Sequence, residues 1–275
     1  MEVHMKSIRV LGLSALLVTG IVTPSVVLAV PVSKPTVPSF LVLDVRAASG
    51  FVLPEWRFTR LPQVSVYSNG TILTPNLITT LQYPGPAVHT FMRRMAPNDV
   101  WRIMDGAVSA QLGNTKLNWG TPLIADAPAT EVTLRPSRAL PQTRIVIQAF
   151  GMDYGLTKKQ IAHRNNARKF IDAVSSYSRP YVTTKATARP WVSGRWAYMA
   201  SVDSGDEFTV TRPWFGEELV DGRQCRLMSK SENQQLLAVL PELNQASRWS
   251  SGGQTWRVAL RPLLPHERSC SDIDR

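Results

Sequence analysis

The chain has 275 residues, of which 44% are hydrophobic and two are cysteines, and its formal net charge is +11. This length and apolar content allow a large buried core, which excludes a disordered chain, and two cysteines are too few for a small disulfide-stapled scaffold. The basic excess favours anionic partners, and a charge that serves only solubility is the alternative.

The first 29 residues have the parts of a secretory signal peptide: Lys6 and Arg9, an uncharged apolar stretch, and a small-residue end at Ala29. We expect cleavage after Ala29, which removes a net +1 and leaves +10 of the +11. A retained membrane anchor over 10–32 is the alternative, because about 20 apolar residues span a bilayer, and a buried segment of the fold is a third. Lys6 and Arg9 keep the N-terminus inside in the first two cases, so the predicted location is extracellular or the cell envelope.

A linker and five strands are predicted in the first half of the mature chain. Residues 30–39 contain three prolines, which favours an extended linker. Residues 40–46 are a continuous apolar run typical of a buried strand. Residues 64–73 alternate around Asn69-Gly70, which predicts a hairpin with a type I′ turn. The stretches 130–136 and 143–151 are predicted to be paired strands.

The first predicted helix covers 96–113. Asn98 or Asp99 can cap its N-terminus, Val108 falls on its apolar face, and Gly113 can end it.

The second predicted helix covers 156–178 and begins with a capping box of Thr157 and Gln160. At about 100° per residue, Arg164 and Arg168 fall on its solvated sides. The residues predicted on its apolar side are Leu156, Gln160, His163, Ala167, Phe170, Ile171 and Val174.

The last third of the chain is predicted to contain a hairpin, a helix and a strand. Residues 189–202 and 207–214 would pair around a turn at 203–206. A helix over 230–246 is interrupted at Pro241, and 254–262 form the last strand.

Strands flank every predicted helix, and hairpins replace the regular spacing of strand–helix–strand units. The sequence therefore predicts the α+β class, with antiparallel or mixed sheets packed against two or three helices. Residues 40–275 are predicted to form one domain, in which two lobes would meet near 178–190.

Cys225 and Cys270 are the two cysteines, and an even pair in an exported chain indicates a disulfide. Two free thiols are the alternative.

Several acidic residues and histidines are candidates for a catalytic or metal site. The stretch at Asp203 resembles an aspartic-protease loop, but it occurs once, and a polar turn explains it. Asp203, Asp206 and Glu207 could also form a weak cation loop. His89, His163 and His266 lack partners at zinc spacing, and no cofactor motif is present, so no catalytic residue, metal site or cofactor is predicted.

Arg-Pro-Trp occurs twice and predicts a basic aromatic surface for an anionic ligand. The alternative is that the tryptophans fill cores. The surface would consist of Arg189, Trp191, Arg195, Trp196, Arg212 and Trp214.

The stretches "FLVLDVRAASGFV", "LPQVSVYSNGTIL", "YPGPAV", "LIADAPATEVTL", "GLTKKQIAHRNNARKFIDAV" and "VALRPLLPHERSC" resemble a group of uncharacterised secreted or lipid-anchored envelope proteins of actinobacteria. Many of those proteins carry a lipid-attachment cysteine after the signal, and this chain has none there. The resemblance implies an envelope or extracellular setting and no activity.

Three functions follow as hypotheses. The first is a non-enzymatic, exported binding protein for anionic wall or membrane polymers. The second is an envelope-directed hydrolase in which Asp203 with Asp126 or Asp44 forms a carboxylate site. The third is a partner of another envelope protein. The exported location disfavours nucleic acid, and direct membrane association is expected only if residues 10–32 are retained.

Overall fold

The computed structural model describes residues 39–48, 53–75, 87, 90–137, 139–203, 211–222 and 224–273. The predicted signal peptide and nearly all of the predicted linker lie outside these residues. Within them, no helix combines the length and the hydropathy that a membrane span requires.

Seven strands in the first part of the described chain form one antiparallel sheet. The order of neighbouring strands in this sheet is sixth, fifth, first, second, third, fourth and seventh. The strands are β1 (Leu41–Ala47), β2 (Val64–Tyr67), β3 (Thr71–Pro75), β4 (Thr90–Arg94), β5 (Thr130–Leu134), β6 (Thr143–Ile147) and β7 (Arg189–Pro190).

Five further strands form a second, mixed sheet: β8 (Trp196–Val202), β9 (Thr211–Pro213), β10 (Arg226–Leu227), β11 (Arg248–Ser251) and β12 (Gln254–Pro262). Their order is β10-β8-β12-β11-β9, and only β9 and β11 run parallel within the described part. The predicted hairpin of β8 with β9 is therefore wrong. The whole of β8 pairs with β12, which satisfies more of its backbone groups than the short β9 could.

Four α-helices accompany the sheets in the described ranges: α1 (Pro54–Thr59), α2 (Pro97–Ser109), α3 (Lys158–Ser175) and α4 (Lys230–Val239). A 3₁₀ turn over Leu240–Glu242 follows α4, so the predicted interruption at Pro241 is confirmed. The mixture of helices with antiparallel and mixed sheets confirms the predicted α+β class.

The hairpin of β2 and β3 is confirmed, but its turn is of another type. Strand β2 ends at Tyr67 and β3 begins at Thr71, which leaves three loop residues. Gly70 alone among them has a positive φ, of 80°. The Gly70 N–H donates to Tyr67 O, as in a type I turn followed by a left-handed glycine. A Cβ at Gly70 would lie 2.4 Å from Met95 O, so glycine is required there.

Helix α2 begins and ends differently from the prediction. Pro97 occupies its first turn and Ala96 is the N-cap residue, without a side-chain cap. After Ser109 the backbone leaves the helix through Gln111, whose φ is 62°, and Gly113 has no such role. Val108, predicted to be apolar-facing, is 55% exposed.

Asp99 is fully buried and ties α2 to the loop that follows α3. Its two carboxylate oxygens accept hydrogen bonds from the backbone and hydroxyl groups of Thr183 and Thr184. Burial alone would raise the pKa of Asp99, but these hydrogen bonds lower it from 3.8 to about 2. The ionised carboxylate is therefore part of the folded structure.

Replacing this carboxylate should cost stability in a pH-dependent way. We expect Asp99→Asn to lower the free energy of unfolding by about 2 kcal/mol at pH 7. Because the folded pKa is depressed, this contribution is complete above about pH 4 and is lost as the pH falls toward 2. Urea unfolding at pH 7 and pH 2.5 measures it. Asp105→Asn, on the exposed face of the same helix, is the control, and equal losses for both variants at pH 7 would contradict the assignment.

Helices α2 and α3 cover one face of the seven-stranded sheet. Ile103 and Ala107 of α2 and Phe170 and Val174 of α3 are buried in the same cluster as the sheet's apolar side chains. The capping box of Thr157 and Gln160 that begins α3 is confirmed. This packing gives the sheet one apolar face and leaves its other face for polar side chains.

Arg164 of α3 was predicted to be solvated, and it is fully buried. Its guanidinium donates to the backbone oxygens of Trp119, Gly120, Gln148 and Ala149, at 2.5 to 3.2 Å. Burial lowers the pKa of Arg164, while the nearby carboxylate of Asp153 opposes that shift. Helical periodicity predicted the wrong environment for Arg164, because the two segments that bury it, at 119–120 and 148–149, lie outside the helix.

The disulfide between Cys225 and Cys270 is present, with an S–S distance of 2.03 Å and a sequence separation of 45 residues. It connects the chain just before β10 to the segment after β12. Trp196 on β8, Trp249 on β11 and Trp256 on β12 belong to the apolar core of the second sheet.

Candidate functional site

The second face of the seven-stranded sheet carries a row of polar side chains. Asp44 on β1 lies opposite Ser65 on β2 and Thr133 on β5, and Arg46 lies opposite Glu131. Because side chains alternate between the two faces of a strand, these residues share the face that α2 and α3 do not cover.

Asp44 is held on both oxygens. The Ser65 hydroxyl donates to its Oδ1 at 2.5 Å, and the Arg46 Nε–H donates to its Oδ2 at 2.6 Å. Burial would lower the pKa of Arg46, but the charge and the hydrogen bond of Asp44 outweigh it and raise that pKa. The Arg46 guanidinium therefore stays charged beside Asp44, of which only 1% is exposed.

The segment after β12 folds over this face and is fixed by a second buried ion pair. Arg261 donates to the two carboxylate oxygens of Glu267 at 2.7 and 2.9 Å, and the Leu264 N–H donates to the same carboxylate. Arg46 Nη2 lies 3.9 Å from Glu267. Asp44, Arg46, Glu267 and Arg261 thus form a chain of alternating charges, the buried ion chain, which joins the sheet to the C-terminal segment.

His266 and Tyr67 lie beside the ion chain and bond to each other. The Tyr67 hydroxyl is 2.9 Å from His266 Nδ1. Burial lowers the pKa of His266, against the carboxylates of Asp44 and Glu267, and burial raises the pKa of Tyr67 well above its usual value. Both groups are therefore neutral near pH 7, and the phenol and the imidazole share one hydrogen bond at Nδ1.

Asp44, Arg46, Glu131 and His266 line a cleft of about 430 Å³, which we name the charged cleft. Its charged walls are formed by Asp44, Arg46, Glu131, Arg135, Arg144, Arg268 and Asp272, and the neutral ring of His266 also lines it.

Two of the four arginines in the charged cleft are already neutralised. Arg46 pairs with Asp44, and Arg144 lies 2.5 Å from Glu131. Arg135 and Arg268 form no ion pair within the described part of the chain. The Nε atom of Arg135 is moreover buried and donates to no acceptor among the described residues. The cleft therefore has an excess of guanidinium donors.

The predicted Arg-Trp surface does not form one aromatic platform. Trp196 is only 2% exposed and lies in the core of the second sheet. Trp214 stacks on Phe215 and contacts Trp249 edge-on, while Trp191 packs against the cluster that contains Tyr67 and Leu264. The alternative interpretation, in which tryptophans fill cores, describes these three residues.

The three arginines of that prediction are also separated. Arg189 is exposed on β7 at the edge of the first sheet, whereas Arg212 on β9 pairs with Glu242 at 2.8 Å. Arg195 donates to Glu267 O at 2.7 Å, which adds a link to the C-terminal segment.

The carboxylates considered for a hydrolase lie on different elements. Asp203 ends β8 and pairs with Arg248 and Arg257 of the second sheet. Asp126 is exposed in a loop, and only Asp44 lines the charged cleft. Residues 204–210 lie outside the described ranges, so the cation loop with Asp206 and Glu207 stays a hypothesis. The described residues contain no group of three or more metal-binding side chains.

Of the other histidines, His89 lies outside the described residues. His163 is half-buried on α3, and its Nε2 is buried without a hydrogen-bond partner among the residues described.

Sequence reasoning missed the buried ion chain and the charged cleft. A signal for the first half was present, since Asp44 and Arg46 lie two residues apart inside a run of apolar residues. Charges at alternate positions of a buried strand indicate partners on the same face. Nothing local to β1, however, points to Arg261 and Glu267.

No protein-family model, curated protein or solved structure matches the chain significantly.

Proposed function

We propose that the chain is an exported, non-enzymatic binding protein that holds an anionic group of an envelope polymer in the charged cleft. Two observations carry this proposal. Arg135 and Arg268 form no ion pair with any described residue, and the buried Nε of Arg135 has no hydrogen-bond partner among those residues. A planar guanidinium is the group best suited to phosphate or carboxylate, because its N–H donors match two oxygens at once.

The state of the carboxylates favours binding over catalysis. General acid–base chemistry needs a carboxyl group that is free to take or release a proton. Both oxygens of Asp44 are engaged by Ser65 and Arg46, and Glu131 is paired with Arg144. The carboxylates of Asp44 and Glu131 are therefore held by their partners rather than free to transfer a proton. Of the three acids named for the hydrolase hypothesis, Asp44 is the one that lines the cleft.

The export part of the proposal rests on the sequence of residues 1–29 and on the disulfide. A disulfide persists in oxidising compartments, which agrees with a chain that works outside the cytoplasm. N-terminal sequencing of the protein from culture fluid and from the cell envelope tests it, with Val30 as the expected first residue. A chain that keeps residues 10–32 and is confined to membranes would instead support the anchor.

Arg135→Gln is expected to weaken the binding of soluble polyglycerol phosphate or of phosphatidylglycerol vesicles at least about tenfold. A hydrogen bond to a charged group contributes roughly 1.5 kcal/mol or more, and each 1.4 kcal/mol is a factor of ten. Sedimentation and titration calorimetry at low salt measure the affinity for the two probes, which separate a wall source of phosphate from a lipid source. About 1 M salt should abolish the binding, because it screens charges beyond a few ångströms.

Two matched variants make this experiment specific. Arg60→Gln removes one charge from an exposed residue that does not line the charged cleft, and it should leave the affinity unchanged. Arg189→Gln tests the surface predicted from Arg-Pro-Trp. Equal losses for all three variants would mean a non-specific effect of net charge, and a loss confined to Arg189→Gln would move the site to that surface.

A further inference from the structure

A second groove, distinct in its chemistry from the charged cleft, lies between α1, the segment after α4 and strand β12. It has a volume of about 390 Å³, and we name it the Trp56 groove after the indole on one wall. Asn244, Gln245 and Ser247 of the segment after α4 and Arg257 of β12 also line it. A volume of this size holds a small ligand.

Trp56 is an exposed aromatic side chain on a fixed backbone. Its exposed fraction is 71%. Phe58, two residues later in α1, is only 1% exposed and is buried with Met199 and Leu263, and α1 packs against β12. The indole is therefore presented to solvent by an anchored helix, so a ligand that stacks on it meets a pre-positioned ring.

The segment after α4 supplies planar polar groups to the groove. Asn244 Oδ1 accepts the Ala246 N–H at 2.9 Å, which orients the amide and leaves its NH₂ group available. Gln245 is exposed, and its amide forms no hydrogen bond within the described residues. The guanidinium of Arg257 is 57% exposed and lies 3.7 Å from Asp203. Its charge is thus partly balanced.

We propose that the Trp56 groove binds a pyranose ring of a neutral glycan. One face of a pyranose presents C–H bonds, which stack on an aromatic ring, and its rim presents hydroxyl groups, which need donors and acceptors. Trp56 provides the stacking surface, and the amides of Asn244 and Gln245 provide both kinds of polar partner.

Other occupants fit these side chains less well. A purely apolar peptide face would leave the two amides without partners, which costs binding free energy. An anion would meet the carboxylate of Glu55 and two guanidinium groups, Arg248 and Arg257, which both pair with Asp203. The charged cleft instead has two arginines that form no ion pair among the described residues. The inference goes beyond the proposed function and does not depend on it, because no residue of one site lines the other.

The test is calorimetric titration of the mature chain with cellotetraose and with the chitin tetramer. We expect at least one of them to bind, and Trp56→Ala to weaken that binding at least about tenfold. Trp101→Ala is the matched control, since Trp101 is 58% exposed on α2 and should leave the affinity unchanged. Gln245→Ala should weaken binding severalfold, and Arg135→Gln should not change it.

Two results would overturn the proposal. The first is an absence of binding of both tetrasaccharides to the unsubstituted chain. The second is self-association, measured by analytical ultracentrifugation, that Trp56→Ala abolishes and the sugars do not affect, which would make the groove an interface between copies. Trp56→Phe, which retains an aromatic ring, should keep part of the affinity and thereby guards against a variant that simply misfolds.

Discussion

Glu267→Gln is expected to lower the free energy of unfolding by about 3–5 kcal/mol, because it leaves Arg261 buried without its counter-charge. Arg261 is 1% exposed and Glu267 is fully buried, so water cannot replace the lost charge. The two guanidinium nitrogens of Arg261 now donate to two different carboxylate oxygens of Glu267. The glutamine amide has only one oxygen, so it can accept from only one of them. The loss also reaches Arg46, which lies 3.9 Å from Glu267.

Chemical denaturation at pH 7 measures this loss, and a double replacement identifies its cause. Arg261→Met with Glu267→Leu removes both charges while keeping apolar volume, and it should recover most of the stability. The disulfide at Cys270 still attaches the C-terminal segment, so the single variant should open locally before it unfolds globally. This local opening should expose Tyr67 and His266 to solvent, and hydrogen exchange can detect it. A double variant as unstable as the single one would show that packing, rather than the uncompensated charge, governs the effect.

Arg164→Met should also destabilise the chain by about 3–5 kcal/mol. Methionine keeps the length of the side chain but has no donor, so four backbone oxygens lose the same partner at once. Those oxygens belong to the loop at Trp119-Gly120 and to the turn at Gln148-Ala149, which would lose their common anchor on α3. We expect a lower denaturation midpoint and faster hydrogen exchange at both segments.

Lys169→Met on the exposed side of α3 is the control, and it should change stability by no more than about 0.5 kcal/mol. Arg164→Lys should fall between the two, since an ammonium group has three donors and cannot span all four oxygens. If Arg164→Met were as stable as Lys169→Met, the four hydrogen bonds would contribute nothing net to the fold.

Local signals predicted most elements well. The apolar run at 40–46 is β1, the capping box of Thr157 and Gln160 begins α3, and β12 covers the predicted 254–262. Each of these signals depends on neighbours within a few residues, through alternation, periodicity or a side chain that bonds to its own backbone.

The site was less accessible from the sequence. Asp44 was named as a candidate carboxylate only by elimination, and its partners lie on strands and segments that are distant in the chain. Of the tryptophans expected on a binding surface, Trp196 is a core residue, and Trp191 and Trp214 are half-buried against apolar clusters. A large ring gains more from burial than from exposure when a neighbouring sheet offers the space.

The sequence by itself determined the α+β class and the types of most longer elements, but it did not predict α1, β4 or β11. It also favoured the disulfide of Cys225 with Cys270, since two cysteines permit one intramolecular bond. Only the tertiary structure decided that β8 pairs with β12 rather than with β9, and that Arg164 is buried. It also brought Asp44 and Arg46 of the first strand to Arg261 and Glu267 near the end of the chain. The physical reason is that burial of a charge requires partners, and those partners are supplied by whichever segments pack together in three dimensions.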